Sequence, residues 1–158
     1  MTRANHILAI DQGTTSSRAL VFDHDARQIA VAQQATIQHF PEPGWVNQDA
    51  SNIWQTALAT AREALEQAGL RPEAIAAVGI ANQRETLVVW ERRSGEPVAP
   101  AIVWQSRQSQ PQVDALIARG LSQTYQEITG LVPDPYFTAT KIAWLFDRDP
   151  TLRRRAEE

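Results

Sequence analysis

The chain has 158 residues, the size of one ordinary domain and enough to bury a hydrophobic core. Its 15 basic and 18 acidic residues give a net charge of −3, so no polybasic surface indicates a nucleic-acid or membrane partner. The absence of cysteine excludes disulfides, iron–sulfur clusters and thiolate nucleophiles, and three histidines argue against a structural zinc site. No apolar run is long enough for a signal peptide or a membrane span, so we expect a soluble, cytoplasmic chain.

The first forty residues have the pattern of β-structure. Residues 7–10 form a short apolar run typical of a buried strand, and residues 18–22 form a second run after a polar turn. Residues 28–37 alternate in polarity, which predicts a third strand. The residues predicted to share its apolar face are Ile29, Val31 and Ala35. Because turns this short join antiparallel neighbours, we predict a three-strand antiparallel meander.

A helical period follows the meander. Asp49 is a predicted N-cap, and Gly69 marks the predicted end of the helix. The predicted apolar helix face consists of Ile53, Trp54, Ala57, Leu58, Ala61 and Leu65. Residues 75–80 form an apolar run that predicts a buried strand, parallel to a strand of the meander because a long helix joins them.

The second half of the chain is predicted to contain two short strands followed by helices. The strands are expected at 86–90 and 101–104, and the helices at 109–119, 121–128 and 139–146. Asp149 and Pro150 are a typical cap and first position of one more helix, which runs into residue 158. This last segment is either a charged tail or a helix interrupted by truncation.

A turn rich in glycine and hydroxyl residues follows the first strand. Gly13 precedes four hydroxyl residues, 14–17, in the segment 11–18 (DQGTTSSR). Backbone N–H groups and side-chain hydroxyls in such a turn form a concave site for phosphate oxygens. Asp11 could hold Mg²⁺ through water, and Arg18 could compensate phosphate charge. The alternative is a hairpin turn that simply favours glycine and threonine.

Polar side chains also stand where the predicted strand 75–80 ends. Ligands of α/β proteins bind at the carboxyl ends of strands, and Arg84 and Glu85 lie there in the string NQRET. Adjacent guanidinium and carboxylate groups could hold vicinal hydroxyls. A surface ion pair is the alternative.

Two aromatic residues complete the candidate groups. Trp104 lies at a predicted strand end, and Tyr136 precedes a predicted helix. A flat apolar face with a phenolic O–H suits a small polyol, although an isolated Trp or Tyr is more often part of a core.

Taken together, these segments resemble a known family. The segment 11–18 is similar to the first phosphate motif of the actin-like ATPase superfamily, in the form used by the FGGY carbohydrate kinases. The strings PGWVNQD (43–49), NQRET (82–86), AIVWQ (101–105) and TGLVPDPYF (129–137) resemble, in that order, the glycerol kinases of this family. Gln12 and NQRET distinguish the chain from the family's xylulose and gluconate kinases. The family often has a paired basic stretch after position 105, whereas this chain reads SRQSQP, which concerns where the next helix begins.

The resemblance implies an α/β fold of RNase H-like type, with a mixed sheet that opens with the meander and helices packed on it. It implies ATP-dependent phosphorylation of glycerol to sn-glycerol 3-phosphate, with Mg²⁺ placed by Asp11. The residues implied at the nucleotide phosphates are Gln12, Gly13, Thr14, Thr15, Ser16 and Arg18. Those implied at glycerol are Arg84, Glu85, Tyr136 and Trp104, and Thr14 is also expected to contact glycerol 3-phosphate together with Arg84, Glu85 and Tyr136.

The resemblance also implies that functional parts lie elsewhere. Members of the family are much longer and have two RNase H-like domains, so residues 1–158 are expected to be the N-terminal part of the first domain. The general-base aspartate, the second phosphate motif and the adenosine-binding segment are expected beyond residue 158, so no catalytic residue is assigned here and negligible turnover is expected of the chain alone. Full-length members commonly form dimers or tetramers. The alternatives are a kinase of another small polyol or sugar, or a short non-catalytic module that binds a phosphate-bearing ligand or a partner.

Overall fold

The protein is described by a computed structural model that covers residues 4–157 and divides into two units. The first unit comprises Met1–Gln38 and Asp49–Gln83, and the second comprises His39–Gln48 and Arg84–Glu158. The strands are β1 (His6–Gln12), β2 (Ser16–Phe22), β3 (Gln28–Ala35), β4 (Gln38–His39), β5 (Asn47–Gln48), β6 (Ile75–Asn82) and β7 (Ala101–Ile102). The helices are α1 (Ala50–Gln67), α2 (Gln110–Ala118), α3 (Ser122–Thr129), α4 (Thr138–Arg148) and α5 (Pro150–Glu157), with a short 3₁₀ turn at Pro72–Ala74.

The first unit is built on a four-stranded mixed sheet with the order β3-β2-β1-β6. Strand β2 pairs antiparallel with both β1 and β3, and β6 pairs parallel with β1. The predicted meander and the predicted parallel strand are therefore confirmed. In the β1–β6 register Leu8 lies opposite Val78, and Ile10 lies opposite Ile80.

Helix α1 covers one face of this sheet and forms the core of the first unit with it. The buried residues of this core are Leu8, Ala19, Val21, Ala30, Ala32, Ala61 and Ala64. The predicted apolar face of β3 is wrong, since Ala30 and Ala32 point to α1 while Ile29 and Val31 are 42% and 40% exposed. Both faces of β3 carry apolar residues, so alternation alone does not decide which face meets the helix.

The predicted start of α1 is confirmed, because the Asp49 carboxylate accepts a hydrogen bond from the Ser51 amide at 2.8 Å. The predicted apolar face is only partly right. Trp54 is 66% exposed, whereas Thr56 and Thr60 are buried against the sheet. The Thr56 hydroxyl lies 2.8 Å from the Ser17 hydroxyl, and the Thr60 hydroxyl donates to the Thr56 carbonyl at 2.9 Å. Burial is tolerated because these hydroxyls bond to nearby groups.

Strand β6 is present as predicted, but the prediction that it is buried is wrong. It forms an edge of the sheet, and from Ala76 to Asn82 its residues are exposed. Val78 is 55% and Ile80 is 73% exposed. Strand β6 is exposed because helix α1 packs chiefly on β2 and β3. The sequence of the strand alone does not reveal this tertiary contact. An apolar edge strand without charge or proline is unusual in a finished sheet.

The second unit contains the small sheet β4-β5-β7 and four helices. A strand at 86–90 is wrong, since only Leu87 and Trp90 form isolated bridges, to Ile102 and Pro97 respectively. Helices α2 to α4 agree with their predicted positions within two residues. Asp149 caps α5 as predicted, accepting from the Thr151 amide at 2.9 Å. No helix within residues 4–157 is long and apolar enough to cross a bilayer.

Candidate functional site

The predicted phosphate turn is the hairpin that joins β1 to β2 in the first unit. The Gly13 amide donates to the Ser16 carbonyl at 2.9 Å, so this N–H is used to close the hairpin. A Cβ on Gly13 would lie 3.1 Å from the same carbonyl oxygen, which explains the preference for glycine there. The turn is therefore a structural hairpin as well as a candidate anion site.

Thr36 fixes the conformation of this hairpin from the end of β3. Its hydroxyl donates to the Thr14 carbonyl at 2.8 Å, and its amide donates to the Thr15 carbonyl at 3.0 Å. The side chain of Thr15 is exposed and that of Thr14 is half-buried. These two hydrogen bonds from Thr36 therefore fix the backbone of the turn.

Gln12 has a structural role at the base of the turn. Its side chain is nearly buried, donates to the Gly13 carbonyl at 2.9 Å, and accepts from the Gln83 side chain at 3.1 Å. These bonds tie the carboxyl ends of the neighbouring strands β1 and β6 together. The Gln12 side chain therefore supports the turn by bonding to the turn's backbone at Gly13.

Ser16 and Arg18 are joined by Gln33 of the neighbouring strand β3. The Gln33 side chain donates to the Ser16 hydroxyl at 3.0 Å, and its carbonyl oxygen accepts from Arg18 Nε at 3.3 Å. Within residues 4–157 no hydrogen bond or ion pair engages the terminal amino groups of the Arg18 guanidinium. These N–H groups are the cationic donors nearest the turn in sequence.

Asp11 lies directly opposite Arg18 in the β1–β2 register, and its side chain is exposed. Among the described residues there is no group of three or more Asp, Glu, His or Cys side chains that could enclose a metal ion. Mg²⁺ commonly keeps several waters and binds one or two carboxylates together with substrate phosphates. A single exposed carboxylate beside the predicted phosphate turn fits that mode of binding.

Glu85 is the structural centre of the second candidate group, which lies in the second unit. Its backbone is left-handed, with φ at 64°, which costs a non-glycine residue about 1 kcal/mol or more. Its carboxylate oxygen Oε2 accepts from the Thr138 amide at 2.9 Å and from the Thr138 hydroxyl at 2.8 Å. Thr138 is the first residue of α4, and a helix N-terminus favours a carboxylate. Oε1 takes part in neither bond.

Trp104 and Tyr136 come together beside Glu85. Their ring centroids are 5.9 Å apart with the planes at 66°, and Tyr136 also packs edge-on against Phe137 at 5.1 Å. The Trp104 amide donates to the hydroxyl of Thr86, the residue after Glu85, at 3.3 Å. We name Glu85, Trp104 and Tyr136 the polyol cluster.

Lys141 connects Glu85 and Tyr136 of the polyol cluster and was missed by the sequence analysis. Its side chain is fully buried, and its ammonium donates to the Glu85 carbonyl at 2.7 Å and to the Tyr136 carbonyl. Burial lowers the pKa of Lys141 to about 8, although the charges of Glu85 and Asp134 oppose the shift. One signal could have revealed it, because Lys141 is the only lysine among the 15 basic residues.

Arg84 is the predicted residue that the structure leaves apart from these contacts. It precedes Glu85 in sequence but is exposed, and within residues 4–157 its guanidinium makes no hydrogen bond or ion pair. The alternative of an Arg84–Glu85 ion pair is therefore not observed among the described residues. The Arg84 guanidinium remains accessible to a ligand.

A cavity of about 520 Å³ in the same unit lies among other residues. Its walls include Trp90, Arg92, Arg93 and Arg155, and none of the predicted site residues. Arg155 pairs with Glu91 at 3.7 Å, and both side chains are about half exposed, which is typical of a surface ion pair of little energetic weight. This cavity therefore does not coincide with the predicted site.

The fold has counterparts among solved structures. A Plasmodium falciparum glycerol kinase with ADP is similar over 98% of this chain with a TM-score of 0.89 and 29% identity, and this chain covers 31% of it. A xylulose kinase from Rhodospirillum rubrum has a TM-score of 0.85 at 24% identity, over 92% of this chain and 30% of that one. The expected class is thereby confirmed as an α/β fold of the sugar-kinase, actin-like ATPase type.

The family follows from the sequence comparisons. Residues 6–158 match the N-terminal domain of the FGGY family of carbohydrate kinases. The chain belongs to this family. It is 56% identical to a glycerol kinase of Rhodospirillum rubrum over 96% of its length, and 51% identical to one of Deinococcus radiodurans over 100%. The chain spans about 30% of the length of these curated relatives.

Proposed function

We propose that the full-length protein to which this chain belongs is a glycerol kinase, which transfers the γ-phosphoryl group of ATP to glycerol and releases ADP and sn-glycerol 3-phosphate. Identity of 51–56% along the whole chain to proteins named glycerol kinase supports this proposal. The two groups of side chains support it chemically, because one suits phosphate oxygens and the other suits a small polyhydroxy compound.

The observation that carries the proposal is the polyol cluster. Glycerol has three hydroxyl groups on a short carbon chain, so its site needs several polar partners and one apolar wall. The Glu85 carboxylate offers an acceptor that Thr138 holds in place, and the Tyr136 hydroxyl offers a donor or acceptor. The Trp104 ring, packed against Tyr136, would contact the carbon chain. Arg84 would donate to the hydroxyl oxygens.

The hairpin after β1 is proposed to hold the phosphates of the nucleotide. The hydroxyls of Thr14, Thr15 and Ser16 would donate to phosphate oxygens, and the guanidinium of Arg18 would balance their charge. Gln12 and Gly13 would act by keeping the turn in shape, as their bonds to Gln83 and Ser16 indicate. Thr14 would also meet the phosphate of the product.

Asp11 is proposed to place Mg²⁺ through water, because its carboxylate is exposed near the end of β1, beside this turn. When bound, the ion would neutralise charge on the transferring phosphoryl group. The chain's own residues would orient the phosphates and the alcohol, which supplies a large part of the rate of phosphoryl transfer. The attacking hydroxyl must lose its proton, and we assign the accepting aspartate to the part of the protein beyond residue 158.

The proposal is tested by steady-state kinetics of the full-length protein with ATP and glycerol. We expect Arg84→Ala to lower kcat/KM for glycerol about 10- to 100-fold, the effect of losing a charged hydrogen bond to substrate. Arg119→Ala is the matched control, because Arg119 is exposed after α2 and belongs to neither group. A wild-type protein without ATP-dependent glycerol phosphorylation would refute the proposal.

Experiments can distinguish glycerol kinase activity from the two alternative functions that the sequence left open. The fold is shared with xylulose kinases, so a panel of polyols and sugars would show whether glycerol has the highest kcat/KM. A non-catalytic module would bind a phosphate compound without turnover, and a reading frame that stops after residue 158 would favour it. Cytoplasmic location, and assembly of the full-length protein into a homodimer or homotetramer, stay predictions.

A further inference from the structure

Lys141 lies in an environment that is unusual for a lysine. Its side chain is fully buried, and burial of an ammonium is costly unless hydrogen bonds compensate for the lost water. Its ammonium donates to two backbone oxygens, those of Glu85 and Tyr136. The nearby acidic side chains are those of Glu85 and Asp134, and the Tyr136 ring centroid lies 5.9 Å from Nζ.

These two acceptors belong to residues 51 positions apart in sequence, and both residues belong to the polyol cluster. Glu85 needs such an anchor most, since its left-handed backbone is unfavourable and the surrounding contacts must hold it. Thr138 fixes the Glu85 carboxylate, whereas Lys141 fixes the Glu85 backbone. The two bonds therefore define both the position and the direction of this side chain.

The choice of residue is also informative. The chain uses arginine at every basic position except 141. An ammonium is compact and presents three donors, whereas a guanidinium is a wide planar fork. A fully enclosed position between two carbonyl oxygens suits the ammonium, which is why a chain so biased to arginine carries lysine here.

Resting on the proposed function, we propose that Lys141 is the positioning residue of the polyol site. It clamps the backbones of Glu85 and Tyr136 so that their side chains meet the hydroxyls of a small polyol. It touches neither nucleotide nor reacting atoms in this assignment, so its loss weakens polyol binding selectively.

The test uses the full-length protein with Lys141→Met, which keeps the chain length and removes the donors, and Lys141→Gln, which keeps donors without charge. We expect Lys141→Met to raise KM for glycerol at least tenfold and KM for ATP less than threefold, with Lys141→Gln intermediate. The matched control is Thr140→Val. Thr140 is buried in the same turn of α4 but bonds to Ser109 and Phe137. Its variant should change stability and leave KM for glycerol within twofold.

An equal change of both KM values in Lys141→Met, or an unchanged KM for glycerol in the folded variant, would overturn the assignment. If Lys141→Met does not fold, Lys141→Gln decides, because its amide keeps N–H donors and removes the charge. KM for glycerol should then rise while KM for ATP changes less than threefold. An unchanged KM for glycerol in this variant would contradict the clamp.

A readout independent of activity separates this proposal from the proposed function. The Thr138 amide donates to the Glu85 carboxylate, so it should exchange its hydrogen at least tenfold faster in Lys141→Met and at the wild-type rate in Thr140→Val. If the wild type lacks kinase activity, the proposed function fails while this exchange still tests the clamp. Unchanged exchange at Thr138 would overturn it.

Discussion

Replacing Ile80 by alanine should destabilise the full-length protein as though Ile80 were a core residue. In the described structure Ile80 is 73% exposed on the edge strand β6, where such a change should cost no more than about 0.5 kcal/mol. The chain spans about 30% of the length of its curated relatives, and a full-length protein of their size would have further residues that could cover this edge. If that remainder covers β6, Ile80→Ala should cost about 2–4 kcal/mol, the usual range for removing a buried isoleucine side chain.

Urea unfolding of the full-length protein, followed by tryptophan fluorescence, measures this cost. Leu8→Ala is the matched control, because Leu8 lies on the same side of the sheet and is already buried under α1. We expect both variants to lose a similar free energy of unfolding. The reasoning is refuted if Leu8→Ala is destabilised by 2 kcal/mol or more on this scale while Ile80→Ala stays within about 0.5 kcal/mol of wild type.

Three further outcomes are expected. Asp49→Ala removes the N-cap of α1 and should lower the free energy of unfolding by about 1 kcal/mol, whereas exposed Asp25→Ala should not, as thermal denaturation would show. Thr56→Val leaves the buried Ser17 hydroxyl without its side-chain partner and should cost about 1–3 kcal/mol in urea unfolding, part of which Ser17→Ala should restore. The folded protein binds fewer protons at Lys141 than the unfolded chain between pH 8 and 10.5, so stability should rise with pH there, relative to Lys141→Met, by up to about 3 kcal/mol.

The sequence correctly predicted the features that depend on contacts between residues close together in the chain. The carboxylate of Asp49 reaches an amide two residues away, and the Gly13 hairpin closes over three residues, so both follow from short stretches of sequence. The predicted strand at 86–90 failed because pairing depends on a distant partner. Only Leu87 and Trp90 form bridges, and Leu87 finds its partner in Ile102.

The candidate site, too, was predictable only in part. Residue types and motif order indicated Glu85 and Tyr136, but no periodicity shows that a single ammonium bonds to both backbones. The positive φ of Glu85 was equally invisible, since left-handed backbone is expected at glycine and not at glutamate. What sequence could have offered was the contrast of one lysine with fourteen arginines, which marks Lys141 as a position where the two cations are not interchangeable.

The two faces of β3 show which side of the sheet α1 leaves uncovered in the described structure. Ile29 and Val31 were expected to face the core, yet α1 covers the opposite face and packs on Ala30 and Ala32. A strand with apolar residues on both faces is what a sheet covered on both sides requires. Ile7, on the same uncovered face, is 46% exposed. The apolar residues of the bare face and those of β6 therefore have one explanation. Contact with a further layer and a further strand would bury both sets, and we expect a full-length protein of its relatives' size to provide them.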